Sequence, residues 1–196
     1  MRTLFKVQLA ITIVTTIWMM LIAKDFVLNN GSSFSIMTLE LPHDNGETEA
    51  LIASMPATTK NAVAKQLNVD YIFMVSTYIG ILLLCLIAIR RIKDINTLRK
   101  QINLPPGGNG WKKLLLILAV LQLLPWVLDI WENARIEQWL QTGSLHENIP
   151  FFTARTYLKF GIAFAGFFTA AGLLLLTMNK LNTLRNTKMK SIVRPV

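Results

Sequence analysis

Leu128-Asp129-Ile130-Trp131-Glu132-Asn133 closes an apolar run that begins at Leu114. Wound as a helix, Asp129, Glu132 and Asn133 fall at i, i+3 and i+4 and share one face. That face extends back through Trp126 and Gln122. Two carboxylates and an amide on an otherwise apolar helix are costly in lipid, so partners are expected from neighbouring helices. Pro125 lacks a backbone donor and predicts a kink near Leu121, just ahead of the polar group. Trp126, Trp131 and Trp139 fit an aromatic belt at one membrane boundary.

Three further apolar blocks accompany this one in a chain of 196 residues that is 53% hydrophobic and 16% charged. Apolar residues gathered into blocks, rather than spread periodically, mark membrane spans. The expected spans cover about 7–28, 71–89, 114–131 and 153–178 in a single domain, 1–196. The first follows a short basic lead and is too long for a signal-peptide core, and Leu21-Ile22-Ala23 is a poor cleavage site. The fold class is all-α, a four-helix membrane bundle with a small, mainly helical cap outside the cytoplasm.

Charge orients the bundle. Placing alternate segments on opposite sides gives the side with both termini 14 of the 20 Lys/Arg and one acid, Asp94, hence +13. The other side takes 6 Lys/Arg and 10 acids, hence −4. By the positive-inside bias, both termini, loop 90–113 and tail 179–196 are expected in the cytoplasm. The formal charge of +9 therefore suggests contact with anionic membrane lipids. No nucleic-acid fold signature is present, and nucleic acid is not an expected partner.

The outer loop, 29–70, is long enough to need structure of its own. Phe34, Ile36, Leu39 and Leu41 suggest a brief extended piece stopped by Pro42. Residues 47–67 read as two short helices broken before Pro56. After the second span, Ile92, Ile95, Leu98 and Ile102 line one side of a basic amphipathic helix ending at the turn Pro105–Gly110. Ile95-Asn-Thr-Leu-Arg there has a faint echo in Leu181-Asn-Thr-Leu-Arg after the fourth span. In that span, Gly161/Ala165 and Gly166/Ala170 are small-xxx-small pairs, suited to packing within the bundle or to self-association.

Candidate site residues gather at the outer membrane boundary: Asp129, Glu132 and Asn133 from span three, Asp70 and Tyr78 from span two, and Arg155 and Lys159 from span four. Lys24 and Asp25 are further candidates from span one. Asp129 lies about 22 Å along from Leu114, and Lys159 about one turn into its helix. Their matched depth predicts pairing, which lowers the desolvation cost of each. No metal or cofactor is implied: His43 and His146 are single residues in separate loops, and Cys85 stands alone.

In four places the chain is similar to a group of small four-span bacterial membrane proteins. These are Leu39-Glu40, Val69-Asp70-Tyr71-Ile72-Phe73, the Asp129–Asn133 element (Asp-x-x-Glu-Asn) and Lys159. The resemblance covers Met37 to Leu175 through short motifs, and Val69 stands where Leu is commoner in the group. It implies the four-span architecture and the same polar residues only; the expected location, the bacterial inner membrane, is a separate reading. It implies no activity, since none is established for the group.

The polar cluster is therefore structural or binds a small ligand, lipid head group or partner. One alternative is a membrane-embedded enzyme using Asp129 and Glu132 as acid and base on a lipid or isoprenoid. Another is an accessory subunit, a homo-oligomer or a component of a larger membrane complex, packed through the small residues of span four. An enzyme requires a cavity that reaches the carboxylates, and a structural cluster should be closed and fully paired.

Overall fold

A computed structural model describes residues 1–145 and 147–193; for Asn179, Asn182 and residues 185–193 only the backbone is considered. His146 lies outside the described residues. The chain forms α1 (Arg2–Ile22), a short 3-10 turn (Ala23–Asp25), α2 (Met37–Glu40), α3 (Asn45–Ala53), α4 (Ala57–Gln101), α5 (Asn109–Leu121), α6 (Leu123–Thr142) and α7 (Ile149–Val193). Four segments are long and apolar enough to cross a membrane: α1 with its 3-10 turn, α4, α5 with α6, and α7 as far as Met178. Among the described residues the only β-type pairing is one antiparallel bridge, Val27 to Ser33.

The hub is α4, packed against α1, α5, α6 and α7. Between Pro56 and Pro105 no proline interrupts it, and Gly80 is its only glycine. The second short helix expected in the loop is therefore absent as a separate element: residues 57–67 are the first turns of α4. The expected helix is there, but it runs on into the second apolar block without a break, because polar residues alone do not end a helix. The break before Pro56 holds, and α3 ahead of it is capped by Asp44, whose carboxylate accepts from the Glu47 amide at 2.7 Å.

The extended piece is likewise corrected, because Met37–Glu40 is one turn of helix, α2. Its turn places Leu39 at 0% exposure in a core shared with Phe26, Ile52, Val63, Ile136, Trp139 and Phe152. This core fastens the 26–56 segment to the ends of α4, α6 and α7. A second core follows the spans through Met74, Ile81, Cys85, Leu115 and Ala170.

The connections are shorter than the span boundaries suggested. Helix α6 runs on to Thr142, where Gly143, at φ 72°, donates its amide to the Trp139 carbonyl at 2.8 Å and ends the helix. At the opposite end α4 and α7 extend beyond the apolar stretch, and Ile95 packs there with Leu181 and Leu184. The two echoing segments thus meet in one small cluster. Asn96 completes the turn before α5, exchanging two hydrogen bonds of 2.9 Å with the Gly107 backbone.

The third apolar block is interrupted at Gln122, between α5 and α6. Pro125 offers no amide to the Leu121 carbonyl, and the Gln122 amide turns instead to Ala119 at 3.4 Å. The Gln122 side chain, 1% exposed, donates to the Leu118 carbonyl at 3.1 Å and to the Ile162 carbonyl on α7 at 3.3 Å.

Candidate functional site: a buried charge network

Helix α6 presents Asp129, Glu132 and Asn133 inward, at 7%, 2% and 3% exposure, whereas Ile130 on the same turn faces out. Trp126, expected on the polar face, is turned outward at 37% exposure. Beyond the break at Gln122, the face that points inward is set by Asp129 and its neighbours.

Lys159 enters from α7 between the two carboxylates. Its Nζ lies 2.5 Å from Asp129 Oδ1 and 2.7 Å from Glu132 Oε1. The remaining oxygens are also occupied. Tyr78 of α4 donates its hydroxyl to Asp129 Oδ2 at 2.5 Å, and Thr156 of α7 donates to Glu132 Oε2 at 2.9 Å. All four carboxylate oxygens thus have a donor, as buried charges require. Asn133 makes a separate contact, donating from Nδ2 to Asp70 Oδ2 at 2.7 Å. The network joins α4, α6 and α7 within the bundle.

Thr156 Oγ1 also lies 3.2 Å from the Glu40 carbonyl in α2. The single hydroxyl proton serves one acceptor at a time, so this second contact marks proximity: α2 sits directly over the network. The Glu40 carboxyl feels the charges of Lys159, Glu132 and Asp129. Burial raises it most, Lys159 pulls it down, and Glu132 and Asp129 push it up, which together leave it at about 7. Neither Thr156 nor Glu40 was among the expected site residues. Glu40 stands in the Leu39-Glu40 pair singled out in the sequence, but a threonine at the end of a span has no distinguishing signal.

Arg155 does not join the network. Its guanidinium lies 4.2 Å from the ring centroid of Trp131 and 3.7 Å from that of Phe151. One helical position separates it from Thr156, and that rotation carries it out of the bundle onto aromatic faces. Lys24 and Asp25 are exposed on the 3-10 turn and stay apart as well. Tyr78 lines cavities on two sides. One of about 180 Å³ is also lined by Gln122 and Trp126, and one of about 450 Å³ lies between α1, α4 and α7. Asp129, Glu132 and Lys159 line neither of them.

The raised Glu40 carboxyl gives a pH-dependent stability. An unfolded glutamate ionises near 4.5, whereas the folded one holds its proton to about 7. The folded state therefore binds the extra proton between these values, and stability falls as pH rises through that window. Glu40→Gln is expected to match the parent protein at pH 4. At pH 8 it should be more stable by about 1–2 kcal/mol, a figure reduced for the solvent contact Glu40 keeps. Thermal unfolding at the two pH values checks this; an equal offset at both would show that Glu40 does not titrate in this window.

Site and fold together define a class: an all-α bundle of four helices long and apolar enough to span a membrane, with a lysine–dicarboxylate network buried between three of them. Neither protein-family models, nor curated proteins, nor solved structures give a match to the chain.

Proposed function

We propose that the protein is a small multi-pass membrane protein of the bacterial inner membrane, with both termini cytoplasmic, whose charge network holds the bundle and its cap in register. The observation that carries this reading is the saturation of all four Asp129 and Glu132 oxygens by Lys159, Tyr78 and Thr156. An acid–base enzyme needs a carboxylate free to exchange a proton with substrate. Here either carboxylate would first have to leave Lys159. A buried ion pair is a strong determinant of register, because any slip strands a charge in the interior.

A second reading, an accessory subunit packed on another membrane protein, is supported by one feature of α7. Of its two small-xxx-small pairs, Gly166/Ala170 is buried inside the bundle, whereas Gly161 and Ala165 face outward. A methyl group added at Gly161 would meet nothing within 4 Å. A partner helix is the occupant that such a face accommodates.

Orientation is tested by labelling. Single cysteines at Asn45 and Ser144 are expected to react with an impermeant thiol reagent in intact cells. Cysteines at Thr97 and Asn186 should react only after permeabilisation, and Cys85, at 0% exposure, should stay silent. Reaction at Thr97 in intact cells would reverse the orientation. Whether the network is structural or functional is tested by its variants, discussed below.

A further inference from the structure

Two cavities follow the same seam, formed by α1, α4 and α7. The first, about 450 Å³, is apolar and has Phe5, Phe73, Leu84, Ala163, Phe164 and Phe168 in its wall. Phe164 and Phe168 are 57% and 66% exposed, so this wall stands at the outer surface of the bundle. The second, about 710 Å³, lies beyond it and is lined by Arg2, Arg90 and Arg91, with Asp94 as its one carboxylate. Arg2 is three residues from Phe5, and Ile87 of the second cavity is three residues from Leu84. The two cavities are thus about one helical turn apart.

We propose that this seam binds an anionic phospholipid, its phosphate held by Arg2, Arg90 and Arg91 and an acyl chain laid along the phenylalanine-lined groove. Charge complementarity selects this occupant. Among the described residues none of the three arginines is in an ion pair, and guanidinium groups match phosphate oxygens in a bidentate geometry. Length agrees: Phe73 to Leu84 spans about 16 Å of helix, close to half of a ~30 Å hydrocarbon core. Basic pockets between spans that continue into apolar grooves are the form such headgroup sites take. A zwitterionic lipid would bring its own cation to the three arginines. A soluble anion would leave the groove without an occupant.

The full-length protein in nanodiscs of phosphatidylcholine with a minor fraction of phosphatidylglycerol provides the test. The lipid released with the protein into detergent is identified by native mass spectrometry. Phosphatidylglycerol is expected to be retained over phosphatidylcholine at least tenfold beyond its share of the bilayer. Arg2→Gln/Arg90→Gln/Arg91→Gln should abolish that preference. Ala163→Trp, which fills the groove, should lower retention several-fold with the arginines intact. Lys112→Gln/Lys113→Gln removes charge outside the cavity and should change nothing. Unchanged melting temperatures establish that each variant is folded. Equal retention of the two lipids by the parent protein would overturn the proposal. So would an equal loss in the Lys112/Lys113 variant, which would show a diffuse surface-charge effect. Full retention in folded Ala163→Trp would remove the acyl groove and with it the site as proposed.

Discussion

Lys159→Met should lower the stability of the bundle by about 3–5 kcal/mol, the range for removing one partner of a buried ion pair. The expectation rests on what remains. Lys159 is 4% exposed, and its ammonium is shared by Asp129 and Glu132, which lie one helical turn apart on α6. Methionine fills the same volume but leaves two carboxylates facing each other with no cation between them. Changing those carboxylates as well, in Lys159→Met/Asp129→Asn/Glu132→Gln, should recover most of the loss, since no charge is then stranded. Thermal unfolding in detergent or nanodiscs measures both. If Lys159→Met melts with the parent protein, the pairing contributes nothing to the fold. If the triple variant is stable while the protein's cellular role disappears, the network is functional and the register role is secondary.

Gly166→Leu is expected to cost about 3 kcal/mol, the upper end of the range for overpacking a filled interior. A Cβ at this glycine would lie 2.5 Å from Gln122 Nε2 and 3.0 Å from Ile81 Cγ2. Gln122 cannot give way freely, because its amide bridges the Leu118 and Ile162 carbonyls at the break between α5 and α6. The Gly166 carbonyl also accepts the Cys85 thiol at 3.8 Å, so the helices are in close approach at this level. Gly161→Leu meets open space and should leave the isolated protein's stability nearly unchanged. Its effect would appear in co-purification if the outward face of α7 packs on a partner. Comparing melting temperatures of the two variants checks the assignment; equal losses would contradict it.

Chain pattern alone was enough for the membrane bundle and for most of the charge network. Apolar blocks of span length are a one-dimensional property, and lipid leaves helices few other ways to satisfy their backbone. The i, i+3, i+4 spacing of Asp129, Glu132 and Asn133 survives as one buried face because helical geometry is local. Matched depth on two antiparallel spans was likewise sufficient to bring Lys159 to them.

What needed the tertiary structure were the facts that depend on rotation about a helix axis and on chain segments far apart in sequence. Arg155 shared the outer boundary with Lys159 and was a candidate with it, but its position on α7 turns it onto Trp131 and Phe151. Thr156 carries no signal in the chain and supplies the last oxygen donor because the same rotation points it inward. Glu40 reaches the network only because a turn of helix, not a strand, carries Leu39 into the core and lays α2 over the end of α7. The two small-residue pairs of α7 are alike in sequence. Which one lies buried against α4 and which faces outward is decided by how the whole helix is rotated when the charges, the Gln122 break and the cores are satisfied together.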